Sequence, residues 1–446
     1  MCVYSVLFVS SDTSVQPYLP MKKFLRIVPV LLVIAVLLAP TISSAAAIQF
    51  VATQFTTTAG INNFASKAFD ADTDGDLDLI VANGGGKNKL LINNGSGVFT
   101  ETELPGDLGL SFGVIVGDVN NDGAIDMYIP VYDTSDSTSN ALWMGSTTSP
   151  GDFTLVNIPG DVRRNTGIAF FDYDGDGDKD LITIEDTVSS TPRVWVNEGV
   201  QEFTSGTSVT PFPGAASSYL LSTDIDVGDL NGDGLLDLYI SRINNGQNVL
   251  LINNGDSTFT TQNISGDADS TRESILADFD NDGDLDIYTA NQSNQQNKLW
   301  INQGYTQGGT EGTFLASNIT NDAGNSFGAD AGDFDGDGDF DIYVSNSSNN
   351  ANRLWVNDGT ASFTAKTMPS ALGGGRQARI GDFRNNGGIL DIVSINLNGG
   401  SANILYTGDY VAGVTLSATT GTVAEGADIT YTLVADIQPV NDSLFL

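Results

Sequence analysis

The sequence predicts an all-β protein, a ring of seven four-stranded antiparallel blades, and three observations carry that prediction. An aspartate-rich nonapeptide recurs along the chain at blade spacing, each copy sits among strand-like segments in a fixed order, and the segments balance only if the two ends of the chain share a blade. The nonapeptide is clearest in Asp172-Tyr173-Asp174-Gly175-Asp176-Gly177-Asp178-Lys179-Asp180. Copies start at Asp70, Asp118, Asp172, Asp229, Asp278, Asp333 and Asp382, and are therefore 48, 54, 57, 49, 55 and 49 residues apart. That period suits propeller blades and exceeds those of helical and leucine-rich repeats.

The elements of one repeat follow in order. Segments rich in β-branched and aromatic residues flank each loop, such as Gly113-Val114-Ile115-Val116 before the second and Met127-Tyr128-Ile129 after it, which is a strand signature. A third strand follows in segments such as Asn88-Lys89-Leu90-Leu91-Ile92, Asn140-Ala141-Leu142-Trp143-Met144 and Asn297-Lys298-Leu299-Trp300-Ile301. Turns such as Asn93-Asn94-Gly95 and Asn253-Asn254-Gly255 come next, and they favour hairpins. A fourth strand then opens at Phe99, Phe153, Phe203, Phe259, Phe314 or Phe363. The seventh repeat has no such phenylalanine, while an orphan Phe55-Thr56-Thr57-Thr58 precedes the first loop. The N-terminal strand, about Gln49 to Thr57, is therefore expected to complete the seventh blade, hiding the edges that an open array would expose.

The loop has the chemistry of a cation site. Carboxylates at positions 1, 3, 5 and 9 converge only if the backbone turns sharply, and glycine at position 6 permits φ > 0. The expected ligands are Asp70, Asp72, Asp74 and Asp78; Asp118, Asn120, Asp122 and Asp126; Asp172, Asp174, Asp176 and Asp180; Asp229, Asn231, Asp233 and Asp237; Asp278, Asp280, Asp282 and Asp286; and Asp333, Asp335, Asp337 and Asp341. Oxygen donors at this density select a hard cation, Ca²⁺ ahead of Mg²⁺, so six structural Ca²⁺ ions are expected. The seventh copy is degraded: Asp382, Arg384, Asn386 and Asp391 fill its frame with one residue inserted, and a cation at position 3 should exclude a metal. An EF-hand would need Glu at position 12 and flanking helices; that position holds Val81, Thr183 and Val344 within strand-like runs.

Bulk properties narrow the function. The chain has 446 residues, net charge −37, no histidine and one cysteine, Cys2. It is too long for one ordinary core and must bury several in series. Such charge repels nucleic acid and anionic lipid. Of the 55 acids, 28 lie in the seven loops, so the acidity reads mostly as ligand. From Met21, a basic start, an apolar run Ile27–Ala39 and small residues Ser43 to Ala47 form a secretory signal peptide. Residues 1–20 read as a start-site extension, 21–47 as the leader, 48–410 as the propeller, and 411–446 as the start of a truncated Ig-like or Calx-β-like module. The mature protein is expected to be secreted or at the cell surface, as a monomeric propeller without membrane insertion.

The repeats resemble the FG-GAP or VCBS repeats of integrin α-chain-type seven-bladed propellers. Phe112-Gly113 and Phe327-Gly328, the Asp-x-Asp-x-Asp-Gly-x-x-Asp loops, and the Asn-x-Leu-Trp-x-Asn-x-Gly stretches around Trp300 and Trp355 carry the resemblance, over about residues 49 to 410. It implies calcium in the hairpin between the first two strands of each blade, on the face opposite the usual ligand surface. The expected function is adhesion or binding of an extracellular protein or glycan. A lectin-like carbohydrate binder, or an accessory domain of a secreted polysaccharide-degrading enzyme, is the alternative. No enzyme activity is expected: Gly109-Leu110-Ser111-Phe112-Gly113 matches Gly-x-Ser-x-Gly, but the chain has no histidine to activate the serine. A binding rim is expected in the linkers between blades, with Phe212 and Tyr219 in the longest and Arg163, Arg164, Arg272, Arg376 and Arg379 in equivalent ones. The bland alternative is that these aromatics pack between blades and the arginines pair with the acidic body.

Overall fold

Alternating apolar residues between sharp turns fold here into four-stranded meanders. The computed structural model describes residues 47–55, 62–107, 109–132, 139–162, 164–185, 192–199, 203, 212–214, 219–304, 308–310, 312–347, 350–366, 368–369, 375–396, 403–411, 413–414 and 435–436. Blade 1 consists of Asn63–Phe69, Asp78–Asn83, Lys89–Asn93 and Phe99–Glu103. Blade 2 is Ile115–Gly117, Asp126–Ile129, Ala141–Gly145 and Phe153–Asn157. Blade 3 is Asn165–Phe171, Asp180–Glu185 and Arg193–Trp195, with its fourth strand represented by the single bridge Asn197–Phe203. Blade 4 is Ser222–Gly228, Asp237–Arg242, Val249–Asn253 and Phe259–Gln262. Blade 5 is Thr271–Ala277, Asp286–Asn291, Lys298–Asn302 and Phe314–Ala316, and blade 6 is Ser326–Gly332, Asp341–Asn346, Arg353–Asn357 and Phe363–Lys366. Blade 7 takes Gly375–Gly381, Asp391–Asn396 and Asn403–Val411 from the end of the chain and Ala47–Phe55 from its start.

The ring closes as the segment balance requires. Ala47–Phe55 pairs antiparallel with Asn403–Val411 along its whole length, from Ala47 opposite Val411 to Phe55 opposite Asn403. The first strand of each blade touches that of the next, and the contact returns from blade 7 to blade 1. Every residue of the second strands Asp78–Asn83, Asp180–Glu185, Asp286–Asn291, Asp341–Asn346 and Asp391–Asn396 is buried. Apolar layers between neighbouring blades cover them: Tyr128, Leu142 and Met144 of blade 2 pack with Ile168, Leu181 and Trp195 of blade 3. Burying each such side chain contributes about 1.5–3 kcal/mol relative to leaving it in water.

The leader, apart from Ala47, and the start-site extension lie outside the described residues. So does the C-terminal module, apart from the end of the strand at Val411 and a two-residue ladder of Gly413–Val414 with Ala435–Asp436. Among the described residues no helix is long and apolar enough to cross a membrane.

Candidate metal centres

Each aspartate loop joins the first and second strands of its blade, and its backbone is turned by two left-handed residues. Position 6 is glycine in all six intact loops, with φ from +86° at Gly234 to +101° at Gly283. A Cβ there would meet nothing within 4 Å, so the conformation and not space demands glycine. Position 4 is also left-handed, in Thr73, Asn121, Gly175, Gly232, Asn281, Gly336 and Asn385. The sequence reading missed this position, although asparagine or glycine fills it in six loops of seven.

The tight turn folds the backbone onto its own carboxylates. Position 1 accepts the N–H of position 6, as in Gly75 N to Asp70 Oδ2 at 3.0 Å and Gly338 N to Asp333 Oδ2 at 3.0 Å. In the six intact loops position 9 is fully buried and takes a backbone N–H on each oxygen. Asp180 accepts from Tyr173 N at 2.7 Å and from Asn197 N at 2.7 Å; Asp341 accepts from Phe334 N at 2.9 Å and Asn357 N at 2.8 Å. The position 9 aspartate therefore pins its loop to the third strand.

Convergence is sharpest in four blades. One carboxylate oxygen from each of Asp70, Asp72 and Asp78 lies within 4.8 Å of the others, and the same holds for Asp172, Asp174 and Asp180; Asp278, Asp280 and Asp282; and Asp333, Asp335 and Asp341. The structure thus brings positions 1, 3 and 9 together in blades 1, 3 and 6, and positions 1, 3 and 5 in blade 5. Asp74, Asp176, Asp337 and Asp286 stand outside these groups. Asp70 Oδ1, Asp72 Oδ1 and both oxygens of Asp335 are buried with no hydrogen-bond partner. Buried carboxylate oxygens without donors are costly unless a cation faces them, so these residues fit a divalent ion.

Burial raises Asp78, Asp126 and Asp237 to about 6, Asp180 and Asp341 to about 7, and Asp286 to about 8; backbone N–H donors oppose the rise and neighbouring carboxylates add to it. A bound cation acts in the opposite sense on every one of these groups.

In the other loops, protein groups contact the loop carboxylates. The amide nitrogens of Asn120 and Asn231 donate to Asp122 at 2.9 Å and to Asp233 at 3.0 Å. In blade 7 the Arg384 guanidinium stands 2.9 Å from Asp391 and 3.3 Å from Asp409, a built-in cation. Neighbouring loops are also linked: the position 4 amides of Asn121, Asn281 and Asn385 donate to the position 7 carboxylates of Asp178 at 2.7 Å, Asp339 at 2.5 Å and Asp76. Position 7 acids therefore join blades, a role their place in the repeat did not reveal.

At the opposite end of the strands, acids outside the loops are consumed by structure. Tyr128 and Tyr239 hydroxyls donate to buried Asp161 and Asp267 at 2.5 Å, and Asn140 and Asn248 amides donate to the same carboxylates at 2.8 and 2.9 Å. Tyr288 donates likewise to Asp322. Burial lifts Asp267 to about 6, against the hydrogen bonds from Tyr239 and Asn248. The signal was visible in Pro105-Gly106-Asp107, Pro159-Gly160-Asp161 and Ser265-Gly266-Asp267, which recur at the repeat spacing.

The rim expected from the linkers needs correction. Arg272, Arg376 and Arg379 lie in the first strands of blades 5 and 7. Phe212 and Tyr219 are 8% and 1% exposed; Phe212 stacks on Phe259 with ring centroids 5.4 Å apart, so these aromatics pack between blades. Arg163 is outside the described residues. The first strands line an axial cavity of about 220 Å³ with Lys67, Asp224, Asp226, Glu273, Asp330 and Arg379. There Arg379 pairs with Glu273 at 3.1 Å and donates to Ser66 O at 2.7 Å. Burial raises Glu273 to about 7 although Arg379 opposes it.

A closed ring of seven antiparallel blades with aspartate loops between their first two strands defines a seven-bladed repeat β-propeller. The chain belongs to the FG-GAP-like repeat family, whose profile matches residues 70–129, 172–240, 229–289, 278–344 and 335–393. Among curated proteins none matches the sequence. Solved structures of similar fold include an Agrocybe aegerita lectin described as recognising non-reducing terminal N-acetylglucosamine, 17% identical with TM-score 0.50, over 71% of this chain and 82% of that one. BBS1N in complex with ARL6DN is 13% identical with TM-score 0.49, over 80% and 96%. The V. cholerae biofilm matrix protein Bap1 is 12% identical with TM-score 0.44, over 81% and 91%. At 17% identity the likeness to the lectin is one of fold alone.

Proposed function

We propose that this chain is a secreted or cell-surface ligand-binding module, an adhesion propeller without catalysis of its own, whose aspartate loops hold structural Ca²⁺. The observation that carries the metal reading is the set of buried, donorless carboxylate oxygens on Asp70, Asp72 and Asp335 inside groups of three converging aspartates. Asp70, Asp72 and Asp78 in blade 1 would hold one ion, with the corresponding groups in blades 3, 5 and 6 holding others. Blades 2 and 4, with Asn120 and Asn231 at position 3, would hold theirs with one carboxylate fewer. When bound, the ion supplies positive charge where the loop has concentrated negative charge. The loops sit at one end of the strands and leave the other end for a ligand.

Extracellular calcium modules bind at about 10⁻⁴–10⁻³ M, and a ligand at ten times its dissociation constant stabilises by about 1.4 kcal/mol per site. Several sites together are therefore comparable with a domain's whole stability. Thermal melts of the purified protein in excess calcium and after removal of metal, with metal content measured, test this reading. The melting temperature is expected to fall sharply on stripping and to return with calcium. An unchanged melt of protein shown to be metal-free would overturn it.

A further inference from the structure

In six of the seven blades the second residue of the first strand is set apart by a β-bulge. Pairing with the second strand skips Phe64, Thr166, Thr223, Arg272, Phe327 and Arg376, and Phe112 holds the same place in blade 2. A bulge re-aims a side chain, and these lie at the end of the strands opposite the aspartate loops. Around blades 5, 6, 7, 1 and 2 they stack in sequence. The Arg272 guanidinium stands 4.8 Å from the Phe327 ring centre, and that of Arg376 stands 4.5 Å from Phe327 and 4.6 Å from Phe64. Phe64 then packs on Phe112 at 4.1 Å between centroids.

Arg376 is the unusual member. Its faces are spent on two rings, and among the described residues no carboxylate or carbonyl pairs with it. Five N–H donors lie around the edge of a guanidinium, and none of those of Arg376 is taken by a carboxylate or carbonyl of the described residues. Burial, and then the like charge of Arg272, lower Arg376 to about 9 against the opposing charge of Glu273, so it remains a cation at neutral pH. Arg272 is tied to Gln292 Oε1 through its Nε at 2.7 Å, so on the shared Phe327 ring it adds positive charge while Arg376 offers the donor edge, an arrangement that suits an anion.

The surrounding loops say what kind of anion. In a chain with 55 acids, the described connections between second and third strands at 83–88, 241–248, 291–297 and 350–352 contain none. They are rich in Asn, Gln and Ser. In blades 4 to 6 their amides run from blade to blade: Gln295 donates to Asn245 at 2.6 Å and Asn350 to Asn294 at 3.4 Å. Amides offer donors and acceptors side by side, as sugar hydroxyls require.

We infer that this end of the first strands binds an acidic saccharide, with Arg376 taking a carboxylate beside the positive charge of Arg272 and the amide-rich loops taking hydroxyls of the same sugar. The inference rests on the ligand-binding reading above and deepens it. The test is calorimetric titration of the full calcium-replete chain with a short oligoglucuronate, its neutral methyl ester, and hexaglutamate. The wild type is expected to bind the oligoglucuronate and to bind the ester and the peptide at least about tenfold more weakly, since charge-assisted hydrogen bonds to the carboxylate are lost with the ester. Arg272→Gln with Arg376→Gln is expected to abolish the preference for acid over ester. Arg272→Lys with Arg376→Lys, which keeps the charge and loses the planar fork, is expected to retain part of it, and unchanged melting temperatures in both variants show that they fold. Equal binding of hexaglutamate, or an acid preference that survives the Gln variant, would overturn the inference. If the wild type bound neutral saccharides or a protein partner but no uronate, the inference would fail while the broader reading stood.

Discussion

Asp174 and Asp180 belong to one loop, yet their surroundings give them different work. Asp180 is fully buried and each of its oxygens takes a backbone N–H, from Tyr173 and Asn197 at 2.7 Å. Asp174 is exposed, and its carboxyl is raised by burial and then by the neighbouring charge of Asp176. Removing Asp180 strands two buried donors at about 1–3 kcal/mol each, whether or not metal is present. Removing Asp174 strands no buried donor and relieves repulsion, so in metal-free protein its loss should change stability by no more than about 0.5 kcal/mol. Asp180→Ala is therefore expected to lower the denaturation midpoint both with and without calcium, and Asp174→Ala only with it. Denaturant melts of the two variants in both states decide the matter: if Asp180→Ala is harmless without metal, the pin at position 9 is not structural.

Among the elements, the strand Ala47–Phe55 has the clearest job, because it alone gives blade 7 a fourth strand. Without it Asn403–Val411 would present an unpaired edge, which templates association, and Phe50 would leave its edge-on contact with Phe334 at 5.8 Å. A chain lacking residues 47–55 is expected to melt lower and to associate with rising concentration, and a peptide of that sequence is expected to reverse both. A truncated chain that stays monomeric with its melt unchanged would show that closure lies elsewhere. This strand was legible because Phe55 and the missing phenylalanine of the last repeat are local signals at fixed offsets from a loop. The first strands were less so: the bulge before Ala65, Glu273 or Gln377 inserts one residue into a period of two, and Arg272 and Arg376 therefore read as linker. The clasps from Asn121 to Asp178 and from Asn281 to Asp339 were hidden for another reason. They join positions about a repeat apart in sequence, and only the ring makes such positions neighbours. The loops themselves were plain, although the spacing could not show that position 9 is held by the backbone before any ion arrives.

For the whole molecule the question is how a chain of net charge −37 stays folded. Its buried acids outside the loops are raised: Glu273 to about 7 and Asp267 to about 6, with Asp226, Asp330, Asp161 and Asp322 moved the same way, burial being the leading cause in each. An acid whose folded pKa lies above its unfolded value holds its proton more tightly in the native state. From the ordinary carboxylate range near 4 up to about 7 the native state therefore binds more protons, and stability falls as pH rises through that window. Self-repulsion of the ionised surface acts in the same direction. Metal-free protein is accordingly expected to gain stability on acidification from pH 8 to pH 5. Glu273→Gln, which cannot ionise, should flatten the upper part of that rise. Calcium reverses the sense, because its carboxylate ligands must be deprotonated and acid releases the ion. Melts across this range, run on stripped and on calcium-loaded protein, should thus draw together as pH falls. Two curves that stay parallel from pH 8 to pH 5 would mean that the loops carry no ion whose binding competes with protons.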